Sequence, residues 1–228
     1  MIEPPPLLTI RRRFKRPSKS MLAAFSGLPI SVIADAQRGR GGLDHRIAPL
    51  EPAYSFVGPV ITAWCGAADN LAALAALELA QAGDIIVIAC DGFDGVGVIG
   101  DRFAGMARNK KIGGIVVDGL VRDRPGIRQA GVACYARGTN ASSAYSIGPG
   151  EVGLPVAIAG VTVESGDVVV GDCEGLVVVP QRTAPDVLKT LEQVKANETR
   201  LDRQVEQGAV GFAFVSELLR SEKTRYLD

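Results

Sequence analysis

The chain has 228 residues, of which 47% are hydrophobic and 22% charged, a composition typical of a globular domain with a sizeable core. Lysine plus arginine and aspartate plus glutamate number 25 each, so the formal net charge is zero. A neutral chain has no broad cationic field, and we therefore expect neither nucleic acid nor an anionic membrane surface as a partner.

Cysteine and histidine usage restricts the chemistry available to the chain. The four cysteines are far apart and form no CxxC pair, which argues against a structural zinc site. His45 is the single histidine, which disfavours a Ser-His-Asp mechanism and excludes a multi-histidine metal site within one chain. The N-terminus does not resemble a secretion signal and no apolar run approaches a membrane span, so we expect a cytoplasmic protein.

The first part of the chain predicts a basic extension that leads into one domain. Residues 1–20 are rich in proline and then in arginine and lysine, and we interpret them as an N-terminal extension before a single domain at residues 21–228. A solvated or subunit-wrapping segment fits this composition better than a nucleic-acid arm. A helix is predicted at 18–28, after which residues 29–36 lead into a glycine-rich loop. Next come a strand at 54–64, an apolar helix at 69–82 and a buried strand at 85–89.

A glycine-rich loop follows this buried strand. Residues 92–100 read GFDGVGVIG, and such a backbone can approach a ligand closely. Asp101 is predicted as the N-cap of a helix at 102–110, and free N–H groups at a helix start favour anions. The glycine spacing also matches a dinucleotide-binding loop. That interpretation is disfavoured, because the helix is short and no acidic residue follows in the ribose-binding position.

The stretch at 113–128 carries the strongest chemical signal, with the sequence GGIVVDGLVRDRPGIR. Its apolar run predicts a strand buried on both faces that stops at a turn beginning with Asp118. Arg122 offers a planar fork that grips carboxylates, and Asp123 offers a hard oxygen ligand for a divalent cation. Ligands in open α/β sheets bind at the carboxyl ends of strands. A surface ion pair in a loop is the alternative interpretation.

The rest of the chain predicts more strands and two C-terminal helices. Strands are expected at 133–137, 156–163, 167–170 and 175–179, with a long amphipathic helix at 183–204 and a short helical piece at 215–226. The turns between the later strands indicate an antiparallel meander. We therefore predict an α/β domain with a mixed central sheet, a β-meander and terminal helices.

Several short segments, in order along the chain, carry a family resemblance. They are ADA at 34–36, AGD at 82–84, GD at 100–101, GGIVVDG at 113–119, RD at 122–123, ARG at 136–138, and the hairpin GDVVVGD at 166–172 with VVVP at 177–180. Together they resemble the RraA-like family of class II pyruvate aldolases, the 4-hydroxy-4-methyl-2-oxoglutarate aldolases. The resemblance implies a three-layer β/β/α swivelling domain that assembles as a trimer or as a hexamer of two trimers.

The resemblance also implies a reaction and the residues that bind its substrate. The reaction is cleavage of a 4-hydroxy-2-oxo acid, of the 4-hydroxy-4-methyl-2-oxoglutarate or 4-carboxy-4-hydroxy-2-oxoadipate type, to pyruvate and a second oxo acid. Oxaloacetate decarboxylation is implied as a side activity. Arg122 would bind the pyruvyl group, with Asp101 as its catalytic companion. The substrate-binding set comprises Gly100, Asp101, Arg102, Phe103 and Arg122, with backbone amides of the loop holding the substrate carboxylate.

A divalent metal, Mg²⁺ or Mn²⁺, completes the implied site. Asp123 would be the direct ligand, whereas Asp101 and Glu198 of a neighbouring subunit would hold the metal through water. Glu192 is the competing choice on the same helix. Mg²⁺ keeps several waters and takes only one or two direct carboxylates, so such a site needs no histidine.

Three other interpretations remain open at this point. An RraA-type regulator would bind and inhibit a ribonuclease without catalysis, but such members lack the acidic residue after the arginine, whereas Asp123 is present here. A methyltransferase, a label that some relatives have carried, is disfavoured because no convincing nucleoside-binding acidic residue follows a first strand. A catalytically idle scaffold is the third, since residues 64–67 do not match the family pattern.

Overall fold

The computed structural model describes residues 3–227, which form eleven strands and seven helices. The strands are β1 (Leu8–Ile10), β2 (Ala48–Pro49), β3 (Phe56–Cys65), β4 (Ile85–Ala89), β5 (Gly114–Val121), β6 (Cys134–Thr139), β7 (Gly150–Val152), β8 (Val156–Ile158), β9 (Val161–Val163), β10 (Val168–Asp172) and β11 (Gly175–Val179). The helices are α1 (Lys19–Phe25), α2 (Ile30–Ala36), α3 (Leu71–Leu79), α4 (Asp101–Asn109), α5 (Arg124–Ala130), α6 (Ala184–Glu206) and α7 (Ala213–Leu219).

Four parallel strands, β3 to β6, form the centre of a mixed sheet, and α3, α4 and α5 connect them. Successive strand residues point to opposite faces of a sheet, so a strand covered on both faces needs an unbroken apolar run. In β4, Ile86 and Ile88 belong to the core shared with α3 to α5, whereas Ile85 and Val87 belong to the core on the opposite face. The sequence IIVIA therefore specifies a central strand.

The remaining strands extend the sheet and cover its second face. The path through the sheet is β1-β7-β3-β4-β5-β6-β2, and β10 pairs antiparallel with the first half of β3 and with β11. Strands β8 and β9 form a separate antiparallel hairpin over the same face. Helices α1, α2 and α6 pack on the outer side of β10 and β11. The architecture is the predicted α/β fold with a mixed central sheet and terminal helices. The predicted β-meander is not formed, because β8–β9 and β10–β11 are separate hairpins and β10 pairs with β3 rather than with β9.

Several local predictions are corrected by the structure. Residues 30–36 form helix α2, which the sequence interpretation left without an element. The region 156–163 is a hairpin of two short strands rather than one strand, with the turn at Ala159 and Gly160. The predicted turn at Asp118 is also wrong, because β5 continues to Val121 with a register shift opposite β6. The carboxylate of Asp118 is tolerated inside the strand because Arg137 on β6 pairs with it.

The N-terminal segment packs along the domain. Residues 8–10 of the predicted extension form β1, which runs parallel to β7. Farther on, the Arg16 guanidinium donates two hydrogen bonds, of 2.8 and 2.7 Å, to the carboxylate of Asp84, which is buried. Gly153 permits this path, because a Cβ there would overlap the carbonyl oxygen of Arg11.

Of the two C-terminal helices, only the first half of α6 packs on the core. Helix α6 buries Val187 and Leu191 against the outer layer, but its second half and α7 are largely exposed. Apolar side chains exposed there include Leu201, Val205, Phe212, Phe214 and Leu218. Across residues 3–227, no helix combines the length and the apolar character needed to cross a membrane.

Candidate active site

A cleft of about 450 Å³ opens at the carboxyl ends of β4 and β5. Its walls are residues 97–103 after β4, residues 122–123 after β5 and residues 143–144 after β6, together with Asn70 and Leu74 near the start of α3. A volume of this size is within the range of small-molecule sites. The cleft therefore lies at the carboxyl ends of parallel strands, where ligand sites in α/β sheets are expected.

Close backbone contacts bring the glycine loop against the end of β5. The amide of Val98 donates to the carbonyl of Leu120 at 2.8 Å, and the amide of Arg122 donates to the carbonyl of Ile99 at 2.9 Å. A Cβ at Gly100 would lie 2.8 Å from Asp123 Oδ2, closer than any side chain could pack. A side chain at Gly100 would therefore displace the carboxylate of Asp123 from its present position.

Arg122 is held from two sides and is still accessible from the cleft. Its Nε donates to Asp123 Oδ2 at 2.9 Å, and one terminal nitrogen donates to the hydroxyl of Ser143. The side chain is 38% exposed. The guanidinium is thus oriented by the protein, and its remaining N–H groups can grip a carboxylate or an oxo group.

Asp123 has a backbone conformation that is uncommon outside glycine. Its φ of 56° and ψ of 41° are in the left-handed region, which aspartate tolerates better than most residues. It occupies the N-cap position of α5 without capping the helix, so its carboxylate pairs with Arg122 instead. The side chain is 39% exposed, which leaves room for a further ligand at that carboxylate.

Asp101 lies beside this pair, at the start of α4. The N-cap is Gly100 rather than the predicted Asp101, because the chain is still extended at Gly100 and Asp101 is already the first helical residue. Its Oδ1 accepts a hydrogen bond from the amide of Arg102 at 2.7 Å. A Cβ at Gly126 would lie 2.6 Å from the Asp101 Cβ, so the first turn of α5 packs closely against Asp101.

The start of α4 also offers backbone donors to the cleft. The first N–H groups of a helix have no intrahelical acceptor and carry the positive end of its dipole. Gly100 and Phe103 both line the cleft, as do the two residues between them. The predicted substrate loop therefore faces the same space as Arg122 and Asp123.

The carboxylates of Asp123 and Asp101 are the donor set that this chain brings to the cleft. Within residues 3–227, no three histidine, cysteine, aspartate or glutamate side chains are close enough together to form a metal cage. One direct carboxylate plus a second through water fits Mg²⁺, which retains much of its hydration shell, better than it fits zinc. The donor chemistry is therefore compatible with the divalent cation that the sequence resemblance implies.

Glu198 and Glu192 are not part of this cleft within one chain. Glu198 lines a separate groove on the exposed half of α6, together with Asp35 and Phe214. Glu192 is on the same helix and is also exposed. Any contribution of either glutamate to the cleft must therefore come from another copy of the chain.

Two wall residues were not identified from the sequence. Ser143 lies between the predicted strands at 133–137 and 156–163 and had no assigned role, yet its hydroxyl accepts from Arg122. Asn70 joins two walls of the cleft, since its Nδ2 donates to the Val98 carbonyl at 3.0 Å and its Oδ1 accepts from Ser146 at 2.6 Å. The predicted helix at 69–82 included Asn70 in its first turn, where an amide side chain is a common and unspecific feature.

An arginine and two carboxylates at the strand ends of a mixed sheet define an α/β protein with a charged cleft. The profile of RraA-like proteins described as Aldolase/RraA matches residues 30–178, and the chain belongs to this family. A protein of Halalkalibacterium halodurans, provisionally named 4-hydroxy-4-methyl-2-oxoglutarate aldolase, is 33% identical over 184 residues. That match covers 81% of this chain and 88% of the relative.

Solved structures with the same fold include proteins of different description. An uncharacterized protein from Pseudomonas syringae pv. tomato is 27% identical, with a TM-score of 0.77 over 87% of this chain and 93% of that one. Streptomyces coelicolor RraAS2, described as an unusual member of the RNase ES inhibitor RraA protein family, is 27% identical with a TM-score of 0.73. That match covers 83% of this chain and 100% of the other. The family thus includes proteins named as aldolases and proteins named as ribonuclease inhibitors.

Proposed function

We propose that this chain is a divalent-metal-dependent lyase that cleaves a 4-hydroxy-2-oxo acid to pyruvate and a second oxo acid, with oxaloacetate decarboxylation as a side activity. The observation that carries the proposal is the convergence of Arg122, Asp123 and Asp101 on one cleft. The similarity to the Halalkalibacterium halodurans protein supports the same reaction class.

The residues of the cleft suit retro-aldol chemistry. The amides at the start of α4 would hold the substrate carboxylate, and Arg122 would bind the 2-oxo oxygen. An ordered water positioned by Asp101 would remove the proton of the C4 hydroxyl. The C3–C4 bond then breaks, its electron pair moves into the pyruvyl fragment, and protonation at C3 completes pyruvate. Arg122 stabilises the enolate oxygen by roughly several kcal/mol, as such preorganised donors do.

A divalent cation would be held directly by Asp123 and through water by Asp101. When bound, it would supply Lewis-acid stabilisation of the same enolate oxygen. Glu198 of a neighbouring subunit would hold it through water. Because Glu198 is on the projecting half of α6 and does not line the cleft of its own chain, this role requires assembly, for which we propose a trimer or a hexamer of two trimers.

The proposal is tested by pyruvate release from oxaloacetate and from 4-hydroxy-4-methyl-2-oxoglutarate, with Mg²⁺, with Mn²⁺ and with EDTA. Asp123→Asn is the sharpest variant, because asparagine also tolerates the left-handed backbone and can accept from Arg122, while the anionic ligand is lost. We expect turnover to fall at least about a thousandfold, since cation and enolate stabilisation are lost together. Asp202→Asn, an exposed change on α6, is the matched control. Wild-type rates in EDTA or in Asp123→Asn would reject the proposal.

The similarity to Streptomyces coelicolor RraAS2 favours one alternative, a non-catalytic ribonuclease inhibitor. The two candidates are separated by adding the purified protein to ribonuclease E and measuring RNA cleavage. A lyase leaves ribonuclease activity unchanged at micromolar protein. Inhibition that persists in Asp123→Asn, together with no pyruvate release by the wild type, would establish the alternative.

A further inference from the structure

We propose that the side chain of Arg102 binds the distal carboxylate of the substrate and so makes the site selective for dicarboxylic over monocarboxylic 2-oxo acids. This inference rests on the proposed function, since it assumes that the pyruvyl end lies at Arg122. It concerns the guanidinium of Arg102, whereas the sequence resemblance involves only the backbone amide at this position.

Most polar side chains in the cleft already have partners. Asn70 uses both ends of its amide on Val98 and Ser146, and the hydroxyl of Ser143 accepts from Arg122. Arg122 itself pairs with Asp123. The carboxylate of Asp101 accepts a hydrogen bond from the amide of Arg102. Apart from Arg102, the remaining side chains that line the cleft are apolar, namely Leu74, Val98, Ile99, Phe103 and Ala144.

Arg102 is different, because its exposed guanidinium forms no ion pair within the part of the chain that the structure describes. It is the second residue of α4, where the positive end of the helix dipole disfavours a cation. Arg102 is therefore a cation at an unfavourable position and has no carboxylate partner. Residues that break a local rule in this way are often functional. A bound anion would resolve it.

The position of Arg102 suits the far end of a short dicarboxylic acid. It follows Gly100 by two residues, and a Cβ at Gly100 would lie 3.0 Å from Arg122 Cγ. Arg102 and Arg122 are both among the residues that line one cleft of about 450 Å³. A substrate whose pyruvyl end occupies Arg122 and the helix amides can direct its second carboxylate to the free fork of Arg102, which can bind it bidentately.

The test compares 2-oxoglutarate with 2-oxopentanoate, which have the same number of carbons and differ in a terminal carboxylate against a methyl group. Both lack the 4-hydroxyl group, so binding is measured by calorimetry with Mg²⁺ present and without turnover. We expect the wild type to bind 2-oxoglutarate about ten- to a hundredfold more tightly, the range for one charge-assisted contact. Arg102→Gln should abolish that preference while 2-oxopentanoate binding stays within about twofold. Arg102→Lys should restore part of it.

Arg108→Gln is the matched control, because Arg108 is on the same helix but in its last turn and outside the cleft. It should retain the wild-type preference. Equal binding of the two acids by the wild type, equal loss of both in Arg102→Gln, or no binding of either acid would overturn the inference. If the preference depends on Arg102 but no pyruvate is ever released from hydroxy-oxo acids, the proposed lyase activity fails while the carboxylate site stands.

Discussion

Two arginine–aspartate pairs are associated with β5, one inside the strand and one directly after its end. They differ in how far their side chains are exposed to solvent. Asp118 lies inside β5 and pairs with Arg137 on β6, with side chains 5% and 15% exposed. Its second oxygen accepts from the amide of Ala159 at 3.2 Å. Arg122 and Asp123 follow the end of β5 and are 38% and 39% exposed.

One pair stabilises the sheet, whereas the other is available to bind a ligand. Asp118 has partners on both oxygens, so the chain itself satisfies the buried charge. Arg122 and Asp123 instead share one bond and keep further donor and acceptor capacity toward the cleft. Both pairs consist of one arginine and one aspartate. The difference is that the open pair can still bind a ligand, while the buried pair can only hold the sheet together.

The largest effect is expected from breaking the buried pair. Arg137→Met should lower the free energy of unfolding by about 3–5 kcal/mol, because it leaves the Asp118 carboxylate buried without its counter-charge. Arg122→Met, the same change in the open pair, should cost less than about 1 kcal/mol. Urea denaturation of both variants measures this. Similar losses in the two variants would contradict the distinction.

The next effect tests the open pair by its activity. Arg122→Lys should reduce kcat/KM for pyruvate formation about a hundredfold, because an ammonium cannot reproduce the oriented fork of a guanidinium. Steady-state kinetics with Mg²⁺ measure the change. Arg128→Lys, an exposed arginine on α5 that pairs with Glu51, should remain within about twofold of wild type. Unchanged kinetics in Arg122→Lys would remove this residue from the mechanism.

A smaller effect is expected from Ser143, which orients Arg122. Ser143→Ala should lower kcat/KM about tenfold, since the guanidinium loses one of its two anchors while keeping Asp123. Ser142→Ala on the same loop is the control, because Ser142 contributes backbone groups to the site region. Equal losses in both variants would indicate loop disruption rather than orientation of Arg122.

The smallest effect concerns the closed interior beneath the cleft. Burial raises the pKa of Cys65 and of Cys134 to about 12 and that of Cys90 well above its ordinary value, whereas Cys173 is exposed. At pH 8 the buried thiols have very little thiolate, so a thiol reagent should modify one cysteine rapidly and three slowly. Turnover should not change after the rapid phase. Rapid modification of two or more cysteines would show that the core is open.

The local elements of the fold were predictable where the pattern was complete over a few residues. The unbroken apolar runs of β4 and β5 predict buried strands, and the loop at 92–100 and the Arg122–Asp123 pair follow them in sequence. Asp118 was misinterpreted because Asp-Gly signals a turn locally, and only Arg137, on a neighbouring strand, makes a carboxylate acceptable there.

Contacts between residues that are far apart in the sequence could not be predicted from it. Ser143 reaches Arg122 because the buried carboxylate of Asp69 accepts from the amides of Ile147 and Gly148, at 2.7 and 2.9 Å, and fixes the loop. No local pattern encodes that distant anchor. The roles assigned to Asp101, Asp123 and Glu198 remain predictions, and that of Glu198 depends on how copies of the chain associate.

The N-terminal strand β1 has a consequence beyond the chemistry of the cleft. It has only three residues, borders β7 at the end of the sheet path, and is followed directly by the exposed side chains of Arg11, Arg12 and Arg13. An edge strand this short, flanked by positive charge, offers few free backbone N–H and C=O groups to a strand of another molecule. Edge-to-edge pairing of sheets, which leads to aggregation, is therefore disfavoured. Residues outside the matched family region therefore limit strand addition at this edge of the sheet.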